Sequence, residues 1–292
     1  MSPELATISS GSLTAGISAL GAELQHLTDR EGRQLQWDGD PAVWHGRAPI
    51  LFPVIGLLEG GQYQLNGASY RMPKHGFARH SIFEIVDHAA STVTFRLAAS
   101  EATRAIYPFE FKLDIRFSIT DASLTLAATI TNSGEADMPA SFGFHPALRW
   151  PLPFGQPRDE HSIRFEHDEP APVRRINPDG FLIAEPQPTP VVGDTLALRD
   201  SLFIDDALIF DELNSRRVRY GAIQGPHLVV DFADFPTLGV WTKPGAGFIC
   251  VEPWQGFSDP VGYAGDIRDK PGIIEIAPGD SKQLAMHISL VG

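Results

Sequence analysis

Apolar and polar residues alternate most clearly between positions 109 and 120, where Phe109, Phe111, Leu113, Ile115, Phe117 and Ile119 are separated by charged or hydroxylated residues. A period of two puts every second side chain on one face, so the spacing predicts a strand buried on one side and wet on the other. After the break Asp121-Ala122-Ser123 the alternation resumes through Leu124, Leu126, Ala128 and Ile130, which predicts the second arm of a hairpin. Further strands are predicted over residues 92–98, 227–232, 237–242, 248–251 and 283–291. No stretch carries an amphipathic helical period beyond about three turns.

Many short strands bounded by Gly, Pro, Asn and Asp predict sheets packed face to face, a single large all-β sandwich. The 27 Gly and 24 Pro among 292 residues supply the turns such a fold needs. Strand-like sequence flanks both sides of the least regular segment, 151–190, which holds nine prolines and the charged run RFEHDEPAPVRR. That segment therefore reads as a surface excursion rather than a linker, and residues 1–292 as a single domain.

Charge and cysteine usage narrow the partners. Lys and Arg number 23 against 36 Asp and Glu, a formal charge of −13, which argues against nucleic acid. The lone Cys250 cannot form an internal disulfide, and neither a signal-peptide pattern nor 18 successive apolar residues occurs; a cytoplasmic protein without a membrane partner is expected. The sequence leaves monomer and homodimer both open.

The GxSxG elbow, the GxxxxGK[ST] phosphate loop and HExxH are all missing, so nucleotide chemistry has no support. Three segments instead set ionisable residues among Gly, Pro and aromatics: MPKHGFARH (72–80), SFGFHPALRWP (141–151) and FICVEPWQGFSDP (248–260). His145, between Phe144 and Pro146, can donate or accept a proton near neutral pH. Glu252 follows an apolar run and is expected at the end of a buried strand, where burial would raise its proton affinity. Trp254 offers a stacking face for a sugar ring. His75 and Arg79 lie four apart, and Arg47 precedes the apolar run APILFPVIG; the arginines' forked donors suit oxygen-rich ligands. A metal site of His75 or His80 with His145 and Glu252 gains nothing from spacing, a nucleophilic pair of Ser141 and His145 has no visible third member, and Asp259 reads as a turn residue. His26, His161, His167 and His287 read as solvated strand or loop positions.

Taken together, GRAPILFPVIG, HGFARH, TRAIYPFEF (103–111), SFGFHPALRWP, LFIDDALIF (202–210) and WTKPGAGFICVEPWQGFSD (241–259) resemble the aldose 1-epimerase (galactose mutarotase) superfamily, in particular its LacX-like and glucose-6-phosphate 1-epimerase-like branch. The resemblance implies a large two-sheet antiparallel β-supersandwich with a groove across one sheet. It also implies cofactor-free interconversion of the α and β anomers of a hexose or hexose 6-phosphate. By motif, His145 matches the general acid and Glu252 the general base, while Arg47, His75 and Arg79 match substrate-binding positions. An acidic residue of LFIDDALIF matches the sugar-binding aspartate, with Asp206 favoured over Asp205.

Ring opening needs a base at the C1 hydroxyl and an acid at the ring oxygen, so Glu252 is expected to start ionised and His145 protonated. If a phosphate is bound, Arg47 and Arg79 are expected to hold it. A sugar-binding protein without turnover is the competing reading. A glycoside hydrolase would need a second carboxylate flanking the bond, for which only Glu252 has a comparable context.

Overall fold

The computed structural model describes residues 5–292. Its largest sheet has nine strands, ordered in space as Thr195–Ala197, His161–Phe165, Arg217–Ala222, His227–Asp231, Ser281–Val291, Ser123–Asn132, Phe111–Thr120, Thr92–Ala98 and Glu84–Ala89. The expected hairpin lies at its centre. Phe111–Thr120 alternates buried and non-buried positions without a break, and Asp121 turns the chain with a positive φ of 51° into Ser123–Asn132.

A second sheet packs opposite, built from Leu208–Phe210, Thr237–Trp241, Phe248–Gln255, Phe142–Phe144 and Ile50–Leu51, with Ala147–Arg149 also pairing to Phe248–Gln255. All strand pairs described are antiparallel. One continuous apolar core, including Phe117, Leu126 and Met286 from the first sheet and Phe144, Val240 and Val251 from the second, fills the space between them. The two-sheet all-β sandwich expected from the sequence is therefore the observed architecture.

Three expectations need correction. The strand predicted over 248–251 runs on to Gln255, so Glu252 stands inside it rather than at its end. Its apolar signature stops at Val251 because Glu252 and Pro253 interrupt it, although both are buried. His161 is 2% exposed rather than solvated: its Nε2 accepts from the Leu152 N–H at 3.0 Å and its Nδ1 lies 2.9 Å from the Pro157 carbonyl. Asp259 is more than a turn residue. It is 3% exposed and forms an ion pair with the buried Lys270 at 2.9 Å, while its Oδ2 accepts from the Glu59 N–H.

The proline-rich excursion folds back onto the second sheet. Bridges join Arg174 to Ile209, Ile176 to Leu182 and Leu182 to Pro260, with Val173 and Leu182 buried beneath. It thereby forms a wall beside the strand Leu208–Phe210.

Candidate active site

Parity along Phe248–Gln255 sets the site. Ile249 and Val251 enter the core between the sheets, which leaves Phe248, Cys250, Glu252 and Trp254 on the opposite side. Gly143 pairs with Trp254 and Ala147 with Cys250, so one register runs through the break at His145-Pro146 and sets His145 opposite Glu252. His145 Nε2 lies 3.1 Å from Glu252 Oε2. Two glycines make room for the neighbouring indole: a Cβ at Gly143 or at Gly239 would lie 2.7 Å from the Trp254 ring.

The pair opens onto a cavity of about 210 Å³. Six of the seven residues expected from the sequence line it: His75, Arg79, His145, Asp206, Glu252 and Trp254. Arg47 does not. Its Nη1 donates to the Gln25 Oε1 at 2.8 Å and the Gln25 carbonyl at 3.2 Å, which directs the guanidinium to the strand Glu23–Asp29. Arg47 thus stands outside the wall that Arg79 lines, and the structure does not pair the two as the expected phosphate clamp. Ser141 and His80 are also absent from the cavity wall; Ser141 is fully buried, and His80 accepts from the Arg79 Nε at 3.1 Å.

His75 adopts a positive φ of 65°, an uncommon conformation for a residue with a side chain. Its Nδ1 accepts from the Gly56 N–H at 3.0 Å, which puts the ring hydrogen of the neutral form on Nε2. Burial foremost, then His145 and the nearby cations, holds its pKa well below the ordinary histidine value. Asp206 also has a positive φ, 64°, and its Oδ1 accepts from the Ala207 N–H at 2.7 Å. Arg175 holds this turn by donating to the Asp206 and Leu202 carbonyls. Of the two adjacent aspartates, Asp206 lines the inner cavity and Asp205 only a wider outer chamber of about 700 Å³.

Sequence reasoning missed Trp44, Trp241, Lys74 and Ser258. Trp44 stacks on His145 with ring centroids 5.3 Å apart, and Trp241 meets the same imidazole edge-on at 6.0 Å. Lys74 and Ser258 complete the wall. Lys74 was legible as the residue before His75 in a singled-out segment, Ser258 lay in another and Trp241 opened the segment 241–259; Trp44 carried only its aromatic character.

Burial dominates the electrostatics. It pushes the His145 imidazole down to about 3 and, together with the Asp206 charge, holds Glu252 well above the usual carboxylate range, while Lys74 pulls Glu252 back. Both shifts disfavour the charged forms, so burial works against a carboxylate beside an imidazolium. That direction opposes the expected ionised Glu252 and protonated His145, because burial strips hydration from both charges.

The family profile described as aldose 1-epimerase matches residues 4–271. The protein LacX, chromosomal, of Lactococcus lactis subsp. lactis is 31% identical over 96% of this chain and 97% of its own length. Among solved structures, a galactose mutarotase-like protein from Lactobacillus casei superposes with a TM-score of 0.91 at 32% identity, covering 98% of this chain and 100% of the other. A galactose mutarotase related enzyme from Lactobacillus acidophilus superposes with a TM-score of 0.88 at 28% identity, covering 99% and 97%.

Proposed function

The chain belongs to the aldose 1-epimerase family, and from that premise we propose that it interconverts the α and β anomers of a free hexose by acid/base ring opening at His145 and Glu252. The observation that carries this reading is the opposition of the two side chains in one register, 3.1 Å apart at a cavity whose wall also holds Arg79, His75, Asp206 and three tryptophans. A concave site with one acid, one base and aromatic faces suits a ring carrying hydroxyls on its rim and C–H bonds on its faces.

Proton inventory defines the steps. The pair holds one dissociable proton, and the neutral arrangement, with the proton on Glu252, has the same net charge as the ion pair, with the proton on His145. Ring opening starts from the ion pair: the carboxylate removes the C1 hydroxyl proton while the imidazolium protonates the ring oxygen. The aldehyde then faces a protonated Glu252 and a neutral His145, the arrangement that burial favours. After rotation about C1–C2 both transfers reverse onto the other carbonyl face. The sugar's hydroxyls offset part of the desolvation that opposes the ion pair, while Lys74 favours the carboxylate and opposes the imidazolium.

Charge balance favours a neutral sugar over a 6-phosphate. A substituent beyond the inner cavity would reach the outer chamber, where Lys74, Arg175 and Lys243 face Asp179, Asp205 and Asp206. Arg175 is already engaged with two backbone carbonyls and Lys243 with the Val43 carbonyl at 3.1 Å. No excess of positive charge is left for a dianion.

Polarimetry on freshly dissolved α-glucose, α-galactose and glucose 6-phosphate tests the reading. Acceleration over buffer is expected for at least one free hexose, with a higher kcat/KM than for the phosphate. Preference for the phosphate would overturn the neutral-sugar assignment, and sugar binding without acceleration of any anomerisation would make this a binding protein.

A further inference from the structure

Cys250 has no part in the proposed chemistry, yet it adjoins the residues that do. It stands two residues before Glu252 on the same side of Phe248–Gln255, and His145 faces Glu252 across the register. One donor atom from each of these three side chains lies within 4.8 Å of the other two, and all three residues are buried. Glu252, 1% exposed, and His145, 8% exposed, each keep a buried polar atom, Oε2 and Nδ1, without a hydrogen-bond partner among the described residues; the His145 Nε2 approaches Oε2 closely but off the hydrogen-bonding direction. Buried polar atoms in that condition are uncommon and call for a ligand or a function.

A thiolate, an imidazole and a carboxylate together make the donor set of a zinc-type site, in which three protein ligands leave a fourth position for a small oxygen ligand. We propose that His145, Cys250 and Glu252 form an inhibitory site for a thiophilic divalent cation, Zn²⁺ matching the donors and geometry best. Bond lengths of about 2.0 to 2.3 Å at tetrahedral angles separate ligand atoms by roughly 3.5 Å. His145 and Glu252 already stand at 3.1 Å, so Cys250 is the group that draws in. The inner cavity, bounded by His145 and Glu252, gives the ion its access and supplies water for the fourth position. On coordination the thiol proton and the one proton shared by His145 and Glu252 both leave to solvent, and the ion takes the carboxylate and imidazole that ring opening requires, so metal and turnover exclude each other. The coordination itself stands independently of the epimerase reading; only the inhibition rests on it.

Calorimetric titration of the metal-free full chain with ZnCl₂, alongside polarimetry with and without the ion, tests both parts. One ion per chain is expected, with inhibition reversed by a chelator and relieved by raising the sugar concentration. Cys250→Ala should weaken binding by more than about 100-fold, since losing a ligand exceeds the loss of a mere ligand-orienting group, and should abolish the zinc sensitivity of turnover. Co²⁺ in place of Zn²⁺ should give a sulfur-to-metal charge-transfer band that Cys250→Ala removes. Should that variant fail to fold, Cys250→Ser and His145→Asn decide the same question by calorimetry. Absence of binding, or binding unchanged in Cys250→Ala and His145→Asn, would overturn the site. Binding that depends on these residues but leaves mutarotation untouched would overturn the inhibitory role. If no sugar is anomerised at all, the titration and the cobalt band still decide the metal site.

Discussion

At the scale of single residues, the site keeps two ionisable groups where burial withholds much of the hydration their charges would have in water. His145 binds its proton less tightly folded than unfolded, so its contribution to stability is fully present above the ordinary value of 6.5 and is lost as pH falls from 6.5 toward about 3. His145→Asn removes that loss. Thermal melting of both proteins at pH 7.5 and pH 5 is expected to show the variant gaining on the wild type as pH drops, at no more than about 1.4 kcal/mol per pH unit; a stability difference independent of pH would contradict a buried neutral imidazole. The identity of both residues was legible in the sequence, because each sits in a segment dense in Gly, Pro and aromatics. Their preferred protonation was not, since it depends on how completely the surrounding tryptophans exclude water. The place of Arg47 outside the cavity wall was not legible for a related reason: proximity to an apolar run does not reveal that Gln25, more than twenty residues earlier, engages the guanidinium.

At the scale of elements, the strand Phe248–Gln255 and its partner across His145-Pro146 carry the site. Alternation located the central hairpin and the strand Thr92–Ala98 because each has one wet face. Alternation gives no such guide where strands are buried on both faces, as in Phe248–Gln255, read only as far as Val251, or exposed along their full length, as in the edge strand Glu84–Ala89. Register is a property of two strands together, so the sequence of either one could not set His145 opposite Glu252. Gly143 tests that register. An alanine there meets the Trp254 Cδ1 at 2.7 Å and the Ile55 Cδ1 at 3.2 Å. Gly143→Ala is expected to cost about 1–3 kcal/mol in urea denaturation and to raise KM by displacing the indole from the cavity wall. Unchanged stability and KM would show that the indole does not need the space.

At the scale of the whole molecule, the sandwich supplies a stiff floor and the irregular segments supply the walls. The floor is anchored in a core running from Ala6 to Ile288. The walls come from the segment around His75, the turn at Asp206 and the excursion near Ile176, drawn together by bonds such as Gly56 N–H to His75 and Lys270 to Asp259. Fold class and most of the site could be read from one chain because turn residues and aromatics mark both; the outer chamber could not, since it exists only once the proline-rich excursion folds back. Among the described residues no helix is long and apolar enough to cross a membrane. The account reduces to a base at Glu252 acting on a sugar hydroxyl, and the direct measurement is the initial rate of change in optical rotation of fresh α-hexose with wild type and Glu252→Gln at equal concentration. The near-isosteric variant is expected to melt no lower than the wild type near pH 7.5, because it removes a buried carboxyl whose ionisation opposes folding as pH rises. Its catalysed rate is expected to fall by about 10²- to 10⁴-fold, whereas a variant as active as the wild type would contradict the assignment.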